Sequence, residues 1–245
     1  MKSGKRRIVW ITVILLLAVT ASLFYNGILL FNNPSYELYP VRGIDVSRYQ
    51  GDIDWEILSQ QNISFAFIKA TEGSSHVDQY FQINFENALK TSLRVGTYHF
   101  FSFDSSGKTQ AENFILNVSK IDELLPPVVD FEFYSGKTMN PPDQHAVRTE
   151  LNILLNELEN HYGKKPIIYA TEKTYDMYLS GYYATYDIWI RNILTKPKPL
   201  HDQTWVFWQY TNRGRLKGYQ GEERFIDISV FNGTRDVFRR YGIFD

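Results

Sequence analysis

The sequence predicts an α/β fold: an irregular, TIM-like β/α barrel of eight strands with fewer helices in its second half, preceded by an N-terminal transmembrane helix. Three observations predict it. Short runs rich in β-branched and aromatic residues recur eight times between residues 43 and 230. The first five are separated mostly by amphipathic helical stretches, and repeated strand–helix units build a parallel sheet that eight strands can close. A mostly apolar run at 8–31 follows the basic segment KSGKRR, and about 20 such residues span a bilayer as a helix. A doubly wound open sheet is the competing architecture.

In chain order, residues 1–7 read as a cytoplasmic basic segment, because a Lys/Arg flank stays on the inner side while the rest crosses. Residues 8–31 read as a membrane anchor or a signal sequence. Val19-Thr20-Ala21 offers a cleavage site after Ala21, but the apolar run continues past it, which favours the anchor. NNPSYELYP (32–40) reads as a linker, and 41–245 as one domain. Strands are expected at 43–46, 65–70, 95–101, 128–133 and 167–170, with helices at 55–61, 78–93, 109–121 and 142–161. The last helix is the clearest: Val147, Leu151, Leu154, Leu155 and Leu158 recur at helical spacing, and Gly163 stops it. Strands at 188–190, 206–210 and 225–230 follow, separated by loop-like segments carrying Pro197, Pro199, Gly214, Gly218 and Gly221.

Composition narrows the function. The chain is 44% hydrophobic and 22% charged, which is globular and not disordered. A net charge of −1 offers no basic surface for nucleic acid. With no cysteine, disulfides, thiolate catalysis, cysteine-ligated zinc and a lipidated N-terminal cysteine are excluded. The 17 Tyr, 17 Phe and 5 Trp suit a packed core and also a groove that holds sugars.

The carboxylates point to the chemistry. In VVDFEF (128–133), alternation puts Val129, Phe131 and Phe133 on one face and Val128, Asp130 and Glu132 on the other. The two acids then lie roughly 6–7 Å apart at about 3.3 Å per residue. Like charges facing an apolar interior are costly unless paired or used. Asp45, in GIDVS, ends the first strand, and Asp227 lies in the eighth, in FIDISVFNG. In a closed barrel the first and last strands are neighbours, the fourth faces them, and active sites sit at the C-terminal ends of the strands. Four acids would then ring one mouth. Glycoside hydrolysis needs a protonated carboxylic acid for the leaving oxygen and a second group that stabilises positive charge or activates water. A neighbouring charge raises an acid's pKa, so Asp130 would help to keep Glu132 protonated. A divalent metal held by carboxylates is the competing use. The histidines (76, 99, 145, 161 and 201) show no HExxH spacing, and only His99, in GTYHFF, falls at a strand end. Neither GxSxG nor GxxxxGK[ST] occurs. This chemistry calls for no cofactor and no metal.

GIDVSRYQGDIDW, FAFIKATEG, GTYHFF, VVDFEF, IIYA, WQYT and IDISVFNG stand in the order found in glycoside hydrolase family 25, the Chalaropsis-type lysozymes, and the chain resembles that family over about residues 41–233. The resemblance implies a peptidoglycan hydrolase that cuts the β-1,4 bond between N-acetylmuramic acid and N-acetylglucosamine. It implies Glu132 as general acid/base, Asp130 as the partner that orients and stabilises the substrate's N-acetyl group, and Asp45 and Asp227 as the rest of the acidic ring. Tyr98, Tyr169 and Gln209 match positions that line the groove. Two positions depart from the pattern. IWIRN (188–192) replaces the more usual W-x-A-x-Y, which puts Arg191 where a small residue is common, and Ser229 stands where Asn often follows the last Asp. The implied partners are peptidoglycan glycan strands and, through the N-terminal helix, a membrane. A catalytically silent glycan-binding module of the same fold, and a glycosidase acting on another N-acetylhexosamine polymer such as chitin, are the competing functions.

Overall fold

The computed structural model describes residues 2–198 and 203–243. Pro199, His201 and the last two residues of the expected 41–245 domain lie outside the described residues. The elements run α1 (Lys2–Tyr25), β1 (Arg42–Val46), α2 (Trp55–Ser59), β2 (Phe65–Glu72), β3 (His76–Val77), α3 (Phe81–Ala88), β4 (Arg94–Phe100), α4 (Gly107–Asn117), β5 (Val128–Phe131) and α5 (Gln144–Tyr162). They continue with β6 (Ile167–Thr171), α6 (Glu172–Thr174), β7 (Ile188–Arg191), β8 (Phe207–Gly214), β9 (Ile226–Phe231) and α7 (Arg235–Arg240).

Eight strands close into a barrel in the order β1, β2, β4, β5, β6, β7, β8, β9, with β3 a short flank on β2. The expected parallel sheet holds from β1 through β8, but β9 runs antiparallel to both of its neighbours. A parallel return needs a crossover of about a dozen residues or more, and the short 215–225 connection carries no helix, so the chain simply reverses.

The alternation read in the sequence sorts the core into two layers. Inside the barrel lie Phe65, Phe67, Val128, Ile167, Tyr169, Trp189, Phe207 and Phe231, all buried. Phe67 meets Trp189 at 4.9 Å and Phe65 meets Phe207 at 5.2 Å between ring centroids. Two glycines make room for the rings. A Cβ on Gly43 would fall 2.2 Å from the Phe65 ring, and one on Gly96 would fall 2.3 Å from the Phe67 ring. On the outer face, Ile68, Val129, Phe131 and Ile168 pack against Phe114 of α4 and Leu151, Leu154, Leu155 and Leu158 of α5. Asp143 caps α5 by accepting from the Ala146 amide at 2.8 Å, and Gly163 ends it at φ 70°.

α1 stops at Tyr25, short of the 8–31 run. Asn26-Gly27 is a turn-forming dipeptide, Gly27 adopts φ 64°, and Phe31 folds back to stack on Phe24 at 4.4 Å. Segment 32–40, expected as a linker, is packed onto the barrel. Pro34 is buried and its carbonyl accepts from Arg42, and Tyr39 lies against Trp205 and Trp208. The far end of the barrel is closed by α7, whose Phe238 meets Phe231 at 5.1 Å and Phe65 at 5.5 Å. Phe238→Ala should therefore destabilise the fold by about 3–5 kcal/mol and lower Tm by roughly 10 °C in thermal melts. Leu116→Ala, at a side chain 85% exposed, should change stability by less than about 0.5 kcal/mol.

Candidate active site

The mouth is the end to which β1, β2 and β4 to β8 carry their C-termini. Because β9 is reversed, its beginning lies at the same end, and Asp227 pairs in register with Asp45. Asp130 sits on β5 opposite Tyr169 of β6, and Glu132 follows one residue after the strand. The eight residues singled out in the sequence, Asp45, Tyr98, Asp130, Glu132, Tyr169, Arg191, Gln209 and Asp227, all line two adjoining cavities of about 320 and 200 Å³. Sequence reasoning missed Lys69 and Trp189, which line the same cleft. Lys69 carried a signal: Phe65 and Phe67 face inward, so period two turns Lys69 inward as well.

Hydrogen bonds fix the floor. The Tyr169 hydroxyl donates to Gln209 Oε1 at 2.6 Å, which leaves the Gln209 amide nitrogen to donate to Asp227. Ser229 is fully buried, and its Oγ accepts from the Trp189 indole at 3.0 Å. This departure from the family pattern therefore serves the floor of the barrel. His99 belongs to the outer face and not to the cleft. Its Nδ1 lies 2.7 Å from Thr71 Oγ1 and its Nε2 lies 3.1 Å from Gln110 Oε1, and burial pushes its pKa down to about 4.

Burial dominates the electrostatics. It lifts Asp45 well above the ordinary carboxylate range, helped by the charge of Asp227 and then that of Asp130. The two carboxyls also interact through a side-chain hydrogen bond, so their titrations are linked. Asp227 itself is raised to about 6 by burial, against the pull of the Arg191 guanidinium. Asp130 is lifted well above its usual value by burial and by the charge of Glu132. Glu132 is lifted by burial, while Arg191 and Lys69 draw it down. Both acids are thus pushed upward, whereas the sequence suggested an ionised Asp130 beside a protonated Glu132. The buried atoms Asp45 Oδ2 and Asp130 Oδ1 have no hydrogen-bond partner in the protein.

Such an arrangement holds protons in a half-buried, acid-lined groove, which is what proton transfer to a leaving oxygen requires. It also affects stability. An acid whose folded pKa is raised binds its proton in the folded chain where the unfolded chain has lost it. Its contribution is therefore present below about pH 4 and is lost as pH rises through the folded value. For Asp227 the window runs from about 4 to about 6. Asp227→Asn should reduce the loss of Tm between those two pH values, as read by thermal melts across the range. An unchanged slope would contradict the assignment.

The chain matches the family model described as glycosyl hydrolases family 25 over residues 44–219. Among solved structures, a family 25 glycosyl hydrolase from Bacillus anthracis is 54% identical and superposes with a TM-score of 0.82, covering 87% of this chain and 98% of that one. A bacterial lysozyme from Streptomyces coelicolor is 32% identical, with a TM-score of 0.75 over 82% of this chain and 96% of that one. Among sequences, Lysozyme M1 of Streptomyces globisporus is 33% identical, covering 79% of this chain and 68% of its own length. Motif order, barrel closure and these matches agree over the same residues: the chain belongs to glycosyl hydrolase family 25.

Proposed function

We propose that this glycoside hydrolase cleaves the β-1,4 bond between N-acetylmuramic acid and N-acetylglucosamine in peptidoglycan, with Glu132 as general acid/base and Asp130 as its partner. The observation that carries the reading is the pair itself. Both side chains leave the inward face of one strand segment, enter one cleft and sit where burial favours the protonated form. The lysozymes among the relatives support the substrate class.

In the first step Glu132 gives its proton to the glucosamine oxygen as the bond from that oxygen to the muramyl anomeric carbon breaks. The muramyl N-acetyl carbonyl oxygen bonds to the same carbon, forming a cyclic ion whose positive charge Asp130 stabilises. Asp130 acts in its ionised form, which the positive charge developing on the substrate favours. Water then attacks the anomeric carbon and passes a proton to Glu132, which retains the anomeric configuration. Arg191 and Lys69, which lower the Glu132 pKa, stabilise its anionic state between the two steps. We further propose that α1 is an uncleaved anchor with the basic N-terminus cytoplasmic and the barrel exported to the cell envelope. Its 22-residue stretch Gly4–Tyr25 is long and apolar enough to cross a membrane.

Glu132→Gln should lower kcat on purified peptidoglycan by roughly 10²–10⁴-fold, the usual worth of general acid catalysis, while leaving glycan binding intact. Asp130→Asn should also cripple turnover. Near-normal turnover by Glu132→Gln would mean that the proton comes from elsewhere.

Arg191 bears on the choice between muramyl glycan and chitin. Its guanidinium lines the cleft at the end of β7 and suits an anionic group such as the lactyl or stem-peptide carboxylate. Arg191→Ala should weaken cleavage of muramyl substrates more than of uncharged chitin fragments. Equal effects on both would dismiss the role.

A further inference from the structure

The turn that follows α1 is built into the rim of the cleft. Arg213 Nη1 donates to the Tyr25 carbonyl at 2.5 Å, and Arg224 Nη1 donates to Asn26 Oδ1 at 3.0 Å. Gly27 approaches the connection between β8 and β9 so closely that a Cβ would stand 2.4 Å from the Arg213 carbonyl oxygen and 3.1 Å from the Phe225 ring. The Phe225 ring carries the guanidinium groups of Arg213 and Arg224 at 5.4 Å each, and Phe225 also lines the cleft together with Asn212 and Glu223. The same connection is strapped to the neighbouring loop after β1. There the Glu223 amide donates to the Tyr49 carbonyl at 2.9 Å, and the Asp54 amide donates to the Gly218 carbonyl at 2.7 Å. Tyr49 lines the cleft from that side.

We infer that this clamp holds the cleft rim against the outer face of the membrane that α1 spans, so that the enzyme works on glycan lying next to its own bilayer. The inference rests on the reading of α1 as an uncleaved span. At about 1.5 Å per residue, the part of α1 beyond the basic segment, from Ile8 to Tyr25, measures about 27 Å, against about 30 Å of hydrocarbon. Little helix is left over to stand the barrel off the surface. A flexible linker would add reach roughly as the square root of its length, but the first clamp bonds fall on Tyr25 and Asn26, the end of the helix itself. Charge leans the same way: Arg215, Lys217 and Arg224 are exposed on the connection that the clamp holds beside the exit of the helix, against the exposed acids Glu222 and Glu223, which leaves a net charge of +1. Cations at that level meet lipid phosphates, and juxtamembrane Lys/Arg attract anionic surfaces.

The natural sequence has no cysteine, so Lys217→Cys gives one labelling site in the full chain. With the protein in nanodiscs containing phosphatidylglycerol, a fluorophore at that site should be quenched by a head-group quencher. Inserting about twelve Gly/Ser residues between Tyr25 and Asn26, a reach of about 20 Å, should relieve the quenching at least about twofold while turnover of a soluble muramyl oligosaccharide is kept. Gly27→Val, which cannot keep the close approach, should speed amide exchange across 215–225 by about tenfold with β5 and β7 unchanged. A label unquenched in the chain without the insertion, or exchange unaltered by Gly27→Val, overturns the inference and leaves the anchor standing. A mature chain beginning at Ser22 overturns both.

Discussion

Four carboxylates are held half-buried above an apolar floor, and the rest of the barrel follows from that constraint. An ionised acid in an apolar interior is costly, so the acids can be placed only at the mouth, above a floor that excludes solvent. Phe65, Phe67, Trp189 and Phe207 supply that floor with interlocking rings, and Gly43 and Gly96 give the rings the space. The same floor partly withdraws water from Asp130 and Glu132 and so raises their proton affinity. Packing at the bottom of the barrel and proton affinity at the top are therefore one property: opening the floor to water would lower the acids' pKa values as well as the stability of the fold.

The reversal of β9 is the second requirement. In a fully parallel barrel, a residue at the beginning of the last strand would lie at the end away from the mouth. Running backwards, β9 brings Asp227 level with Asp45, so each carboxyl modulates the proton affinity of the other across adjacent strands. Gln209, held by the Tyr169 hydroxyl, presents its amide to the same carboxylate. The reversal also leaves an irregular connection across the rim, and that connection lines the cleft with Asn212, Glu223 and Phe225.

Much of this was legible in the sequence because it rests on local periodicity. Alternation in VVDFEF sorted Asp130 and Glu132 from Val129 and Phe131, and helical spacing marked the inward stripe of α5. Elements set by distant partners were not legible. The direction of β9 depends on how the chain turns at the rim between β8 and β9, which strand-like composition does not encode. Phe238 in a six-residue helix carries no periodicity, and its role as the plug comes from the rings it meets. Lys69 is a different case, since period two pointed to it and the charge within an apolar run was passed over. The run at 8–31 read as one span because apolar composition continues through Asn26-Gly27, although that dipeptide is itself a turn signal. The competition between Arg191, Lys69 and burial at Glu132 needed coordinates, because it depends on which side chains face one another across the mouth.

Muramidase action on the proposed bond leaves a defined chemical end, and the most direct test reads that end. Peptidoglycan digested by the full-length protein, reduced with borohydride and resolved by mass spectrometry, should give fragments whose reduced terminus is muramitol bearing the lactyl group. Fragments ending in reduced N-acetylglucosamine, or the absence of new reducing ends, would contradict the account.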